Sequence, residues 1–493
     1  MSEVSGSSRT ARALGPRSVI AALSGALATA IALSAFGPAR LGVLLVVGAL
    51  AGLSLVNPGA YLFATVAIYS ALQGLLAEFP AGDLFPVPVN ASQVFMALLT
   101  LWWACRILIG LARREGVPKP SAAINAHLAF FAWSAVTVLL APEKDSVAAA
   151  ARLAACVTIH FVGYWLGSVR RWEGFVPGAI AFAAIAAGGS AAIEAITARR
   201  VAEAISYGAF RAGGSFGGPV VTATVAMVGL PVFCAWILPG NSRRRRMIAA
   251  LGLVAVAGGI VGTLTRTALV GTALFGVLLV TQRRVAAQHG RVRRAVIAFA
   301  PIALVLLLLL AVPDKYVASR SADLPGYQGG GAGLGAESGS GRGLLWRGML
   351  TIQGRSSAAE WLTGHGLESV LRDLPPVTGI RAGGHNSYLE VLYQLGLIGL
   401  VILVVMVTAN IRLLKPPVGA DPATSRICLY WRDYYFAYLL STIMFNGFIW
   451  DVGATWFTDL GLGYAQAKAA GAGSAVATSG VRVPPAHEAG SET

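Results

Sequence analysis

Repeated apolar runs decide what this chain can become. They fall at about 18–36, 41–56, 60–77, 90–112, 124–141, 147–168, 174–196, 217–238, 248–264, 267–282, 295–312, 397–413 and 430–450, with a weaker one at about 454–469. At about 1.5 Å of rise per helical residue, each is near the length that crosses the roughly 30 Å hydrocarbon core of a bilayer. Lipid gives backbone amides no partners, so such runs must be helical. Only 12% of the 493 residues are charged, against roughly a quarter in soluble proteins. The expected fold class is an all-α polytopic membrane protein of about 12–14 transmembrane helices. Its first partner is the lipid bilayer.

A net charge of +16 could suggest nucleic-acid binding, but the basic residues cluster between apolar runs, where they fix topology instead. Arg9, Arg12 and Arg17 precede the first run. Arg113, Arg114 and Lys119, then Arg170 and Arg171, then Arg243 to Arg246, then Arg283, Arg284, Arg291, Arg293 and Arg294 each follow after an even number of spans. All therefore share one side, the cytoplasm, as in a bacterial-type inner membrane. The acidic loops with Glu78 and Asp83, or Glu143 and Asp145, fall on the other side. No nucleic-acid partner is expected.

This pattern divides the chain into a cytoplasmic N-terminus (1–17), a bundle of about 11 spans (18–312), one large extracytoplasmic loop (313–396), C-terminal transmembrane helices (397–469) and a tail of disordered composition (470–493). The long loop should contain short helices. Its segment 326–341, GYQGGGAGLGAESGSG, is too rich in glycine to pack. RGLLWRGMLTIQG (342–354) then reads as a helix, TGHGLESV (363–370) as a turn, and the stretch from Asn386 to Arg412 as another helix. Those last 27 residues would extend about 40 Å, too long for one upright span. Asn386, Glu390 and Gln394 also form a polar i, i+4, i+8 stripe that lipid would not tolerate. The spacing predicts a short helix outside the membrane over 386–395, breaking near Gly396 into a true span.

Polar chemistry should therefore sit on the outer face. Arg266 lies in a connection of about three residues between two spans, Arg342 and Arg347 belong to the first loop helix, Arg381 precedes His385, and Arg211 heads another span. Arginine presents a fixed, permanently charged fork suited to phosphate oxygens. A group of them on the translocated side, where arginine is normally scarce, points to an anionic ligand such as a lipid pyrophosphate more than to interfacial anchoring. His385 supplies a group of near-neutral pKa, a natural proton acceptor; His365 is a second candidate. His160 and Arg152, inside a span, should face the bundle interior, and Glu194, near a span end, should be solvated. No metal-ligand spacing or nucleotide-sugar signature is visible, so no metal or cofactor is expected.

GHNSYLEVLYQLGLIGL (384–400) resembles the most diagnostic motif of the O-antigen ligase and polymerase family. In order before it, RAGGSFGGPVVTA (211–223), TLTRTALVG (263–271), RGLLWRGM (342–349) and LTGHGLES (362–369) are similar to the family's other pieces, with threonines where serines are usual beside Arg266. The resemblance implies a metal-independent, inverting glycosyltransferase that uses a polyprenyl-pyrophosphate-linked glycan as donor and a glycan or lipid A-core as acceptor. By match of motif, His385 would be the general base, and Arg266 and Arg342 would bind the pyrophosphate. Arg211, Arg347, Arg381, Asn386 and Glu390 would contact substrate. Ligase and repeat-unit polymerase share these motifs and stay open as alternatives. A flippase of lipid-linked sugars is the more distant one, for which an internal repeat is missing.

Overall fold

A computed structural model describes residues 52–54, 56–78, 91–112, 118, 120–142, 146–197, 212–216, 218–238, 240–263, 265–281, 342–379, 383, 386–442 and 452–478. The chain divides into two compact units, 1–65 and 66–493. Among the described residues all regular structure is helical: α1 Pro58–Glu78, α2 Ala91–Ala112, α3 Ala122–Leu140, α4 Ser146–Ser168, α5 Phe175–Thr197, α6 Pro219–Val228, α7 Leu230–Trp236, α8 Arg243–Thr263, α9 Arg266–Thr281, α10 Arg342–Gly354, α11 Ala358–Thr363, α12 Val370–Thr378, α13 Ser387–Leu413, α14 Pro422–Ser441 and α15 Val452–Thr478. Among the described residues six stretches, α3, α4, α5, the α6–α7 pair, α8 and α13, are long and apolar enough to cross a membrane. The protein is an all-α polytopic membrane protein. The runs expected at 18–36 and 295–312 lie outside the described residues, as do 313–341, the glycine-rich stretch included.

Boundaries follow local chemistry. Ser121 caps α3 by accepting from the Ile124 N–H at 3.3 Å. Asp421 caps α14 through the Ala423 and Thr424 amides at 2.9 and 3.0 Å, with Pro422 in the first turn where its missing N–H costs nothing. The expected 217–238 span is two helices in tandem, because Gly229 and Pro231 interrupt α6–α7. The final helix, α15, runs on to Thr478, past the limit expected at about 470.

Lipid gives no hydrophobic drive between helices, so close packing must hold the bundle. α15 lies along α4, α5 packs on α8, and α3 packs on α13. One close approach is reciprocal. A Cβ on Gly163 would stand 2.1 Å from the Leu460 carbonyl oxygen, and one on Gly463 would stand 2.1 Å from the His160 carbonyl oxygen. Backbone meets backbone there, with no flexible side chain to yield.

Helices α3 to α8 follow one another and pack as neighbours, and α9 packs on α6 and α14, so successive spans reverse at alternate ends of this bundle. The end of α3, the start of α4, the end of α5, the start of α6 and the α8–α9 junction share one end. The basic residues Arg170, Arg171 and Arg243 to Arg246 lie at the other, with Lys468 of α15 paired there to Glu173.

Candidate functional site

Four short pieces of the long loop build a cap with its own small core. Leu345 and Met349 of α10, Val370 and Leu374 of α12, and Tyr393 of α13 are buried together, with Trp346, Ile352 and Leu389 packed against them. The Trp of RGLLWRGM thus packs inward, while Arg347 is exposed. Helix α11 starts with a capping box in which the Ser357 side chain and Glu360 serve each other's backbone amides. The Ser357 N–H and hydroxyl bonds hold the Glu360 carboxyl below its ordinary range.

The GHG turn ties this cap to α13. The His365 ring stacks on Tyr393 with centroids 4.4 Å apart, the His365 backbone N–H donates to the Tyr393 carbonyl at 2.9 Å, and the ring Nε2 lies 3.0 Å from Ser356 Oγ. Ser356 spends its own hydroxyl proton on the Ile352 carbonyl, so His365 Nε2 must be the donor. Burial lowers the His365 pKa, against an opposing pull from Asp373 and Glu360. Tyr393 in turn donates to Asp373 Oδ2 at 2.8 Å, and Arg372 grips the same carboxylate at 2.6 and 3.0 Å. His365, the second histidine candidate, is a packing and hydrogen-bonding residue.

Helix α13 breaks where the sequence predicts. Gly396 adopts φ 68°, ψ −170° between two helical halves. That conformation is nearly closed to residues bearing a Cβ. A Cβ at Gly396 would lie 2.2 Å from the Leu362 carbonyl oxygen, and one at Gly364, also at positive φ (79°), 2.3 Å from the Gln394 carbonyl oxygen. The Leu395 carbonyl, released by the break, accepts from Trp133 Nε1 of α3 at 2.9 Å. Gly396→Ala should therefore undock the cap: we expect faster amide exchange across 362–369 and a lower melting temperature, read by hydrogen–deuterium exchange and thermal unfolding in detergent. Wild-type exchange there would show that the junction tolerates a Cβ.

The polar stripe faces protein. Asn386, Glu390 and Gln394 are all buried. Asn386 Oδ1 caps α13, accepting from the Tyr388 and Leu389 amides at 3.1 Å each. Gln394 Oε1 accepts from the Glu368 N–H at 2.6 Å, and the Glu368 carboxylate pairs with Arg152 near the start of α4. Arg152, expected to face the bundle interior, instead anchors the cap at the end of the bundle. His160 is buried as expected.

The α8–α9 junction belongs to the same end. The Ala212 N–H donates to the Gly262 carbonyl at 3.2 Å, and the Thr265 hydroxyl donates to the Pro219 carbonyl at 3.3 Å. Segments 211–223 and 263–271, far apart in sequence, are therefore neighbours. Glu194 corrects an expectation: it is fully buried, not solvated, and its Oε2 accepts from the Gly214 N–H at 3.0 Å. A left-handed turn at Gly214 aims that amide at the carboxylate, a pairing that the position near a span end gave no sign of.

Of the residues singled out for chemistry, Arg266 opens α9 and Arg342 opens α10; only their backbone positions are described. Arg211, Arg381 and His385 lie outside the described residues. His385 directly precedes Asn386, the α13 cap. Sequence spacing missed a further group altogether. His127 of α3, His160 of α4 and Asp459 of α15 converge inside the bundle, their ligand atoms within 4.8 Å of one another.

A helical bundle with a docked cap of short helices at one end defines the class: a polytopic membrane protein with an elaborated terminal face. Residues 251–404 match the family model described as O-antigen ligase, in line with the resemblance of the sequence motifs. That match takes in the segments around Arg266, Arg342, His365 and His385; segment 211–223 falls before it. No curated protein sequence matches the chain.

Proposed function

We propose that this protein is a metal-independent, inverting glycosyltransferase acting at the extracytoplasmic face of a bacterial cytoplasmic membrane. Its donor is a glycan on a polyprenyl pyrophosphate such as undecaprenyl pyrophosphate, and its acceptor is the hydroxyl of another glycan or of lipid A-core. The observation that carries the reading is the O-antigen ligase match over 251–404, with its motif segments bracketing a cap opposite the basic loops.

In this reading His385 takes the proton as the acceptor oxygen attacks the anomeric carbon. The bond from that carbon to the pyrophosphate oxygen breaks, and the lipid pyrophosphate leaves with the electron pair. Arg266 and Arg342 hold the phosphates and stabilise the charge that develops on them. Arg211, Arg347 and Arg381 assist in binding. Asn386 and Glu390 are assigned to substrate contact, and Asn386 also holds the turn after His385 through its cap bonds. The leaving group is already activated, so positive charge, a base and positioning are what the enzyme must add.

Glycan analysis of a deletion strain tests the reading. Long lipid-linked polymer without transfer identifies a ligase, and accumulation of single repeat units identifies a polymerase. An unchanged glycan profile, or labelling that places 342–379 in the cytosol, would overturn the proposal.

A further inference from the structure

The group His127, His160 and Asp459 lies within the helix bundle, away from the cap, and no step of glycosyl transfer uses it. Asp459 Oδ1 is 3.4 Å from His127 Nε2 and 3.6 Å from His160 Nδ1. The imidazole centroids are 4.4 Å apart. All three residues are buried, His160 completely.

Hydrogen bonds behind the rings fix which nitrogens face inward. His127 Nδ1 lies 2.8 Å from the Ala123 carbonyl, which can only accept, so Nδ1 carries the proton and Nε2 offers a lone pair to Asp459. The second ring sits at the end of a polarised chain. Asn410 Nδ2 donates to Tyr435 Oη at 3.2 Å, and Gln466 Nε2 donates to Asn410 Oδ1 at 2.8 Å. Gln466 Oε1, 3.1 Å from His160 Nε2, then accepts from it. His160 Nδ1 is left as a buried atom with no hydrogen-bond partner. Two lone pairs and a carboxylate oxygen thus converge in a low-dielectric interior, an arrangement that repels unless a cation lies between them.

Distance selects the cation. A shared proton would draw nitrogen and oxygen to roughly 2.7–2.9 Å, and both separations exceed that. A zinc-class ion holding nitrogen and oxygen ligands at about 2.0–2.2 Å places them some 3.4 Å apart along a tetrahedral edge. The two nitrogen-to-oxygen separations lie near that value. An imidazole that spends its far nitrogen on a carbonyl or amide oxygen is the usual outer support of such a ligand. A small cavity beside Asp459, lined by Phe130, Leu153, Met406 and Thr455 among others, leaves room for a fourth ligand such as water.

We propose that His127 Nε2, His160 Nδ1 and Asp459 bind one divalent first-row metal ion, zinc or a close relative, which staples α3, α4 and α15 together. The role is structural. α3 also holds the Leu395 carbonyl through Trp133, and Ala141 at its end contacts the GHG turn. The metal therefore braces the platform on which the cap sits, without touching the reacting atoms.

The test uses the full-length protein in detergent and needs no glycan substrate, so it stands or falls apart from the proposed activity. Stripping with a chelator should lower the melting temperature, and adding Zn2+ or Co2+ should restore it. The Co2+ form should show the visible absorption of cobalt bound by nitrogen and oxygen at about one ion per chain. Asp459→Asn and His127→Gln should each lose that absorption, whereas Asp459→Cys should keep the ion and add a thiolate-to-cobalt charge-transfer band. Stripped wild-type protein that gains neither absorption nor melting temperature from either ion would overturn the site. A melting temperature that follows pH and ignores metal would overturn it too, assigning the group to a shared proton.

Discussion

A His385→Ala protein should reach the membrane at the wild-type level and transfer essentially no glycan. General-base catalysis contributes about 10²–10⁴-fold, enough to drop transfer below detection in most cell-envelope assays. The expectation rests on the position of His385, one residue before the Asn386 cap that opens α13. Because Asn386 makes the cap bonds with its own side chain, truncating His385 should leave the helix start intact. Measured transfer with matched protein levels, from membrane fractions, checks this. Wild-type rates in that variant would end the assignment of His385 as base.

Arg266→Lys should also be severely impaired although the charge is kept. A guanidinium fork can hold two phosphate oxygens at once; an ammonium cannot reproduce that geometry. Losing one donor to a developing oxyanion typically costs about 10²–10³-fold in rate, and an effect of that order is expected in kcat. Arg266 opens α9 beside a junction already tied to the 211–223 segment through Ala212 and Thr265, so the backbone has little freedom to compensate. The check is a comparison of Arg266→Lys with Arg266→Ala in the same assay. Similar large losses in both fit a two-pronged phosphate contact. Full activity in the lysine variant would favour an interfacial anchor.

Much of the architecture was legible without coordinates, because span length, capping and helix breaking are local. The runs at 124–141, 147–168 and 174–196 correspond to α3, α4 and α5 with ends within two residues. The Gly396 break followed from a stripe of Asn386, Glu390 and Gln394 that could not face lipid, and those three side chains are buried in protein. The grouping of motifs was legible from the alternation of basic loops, and the O-antigen ligase match over 251–404 took in four of the five segments.

What the sequence could not display is who answers a buried polar group. Glu194 reads as a solvated residue near a span end until Gly214 turns its amide toward it. Arg152 reads as an interior charge until Glu368, 216 positions later, pairs with it. His127, His160 and Asp459 share no spacing pattern, since Asp459 comes from a helix almost 300 positions beyond His160. Hydropathy repeats along the chain, so sequence alone determines spans and breaks. Desolvated charges and lone pairs must be matched across space, and only tertiary packing decided which groups meet; the packing of α15 against α4, made possible by glycines at 163 and 463, is what brings Asp459 to His160.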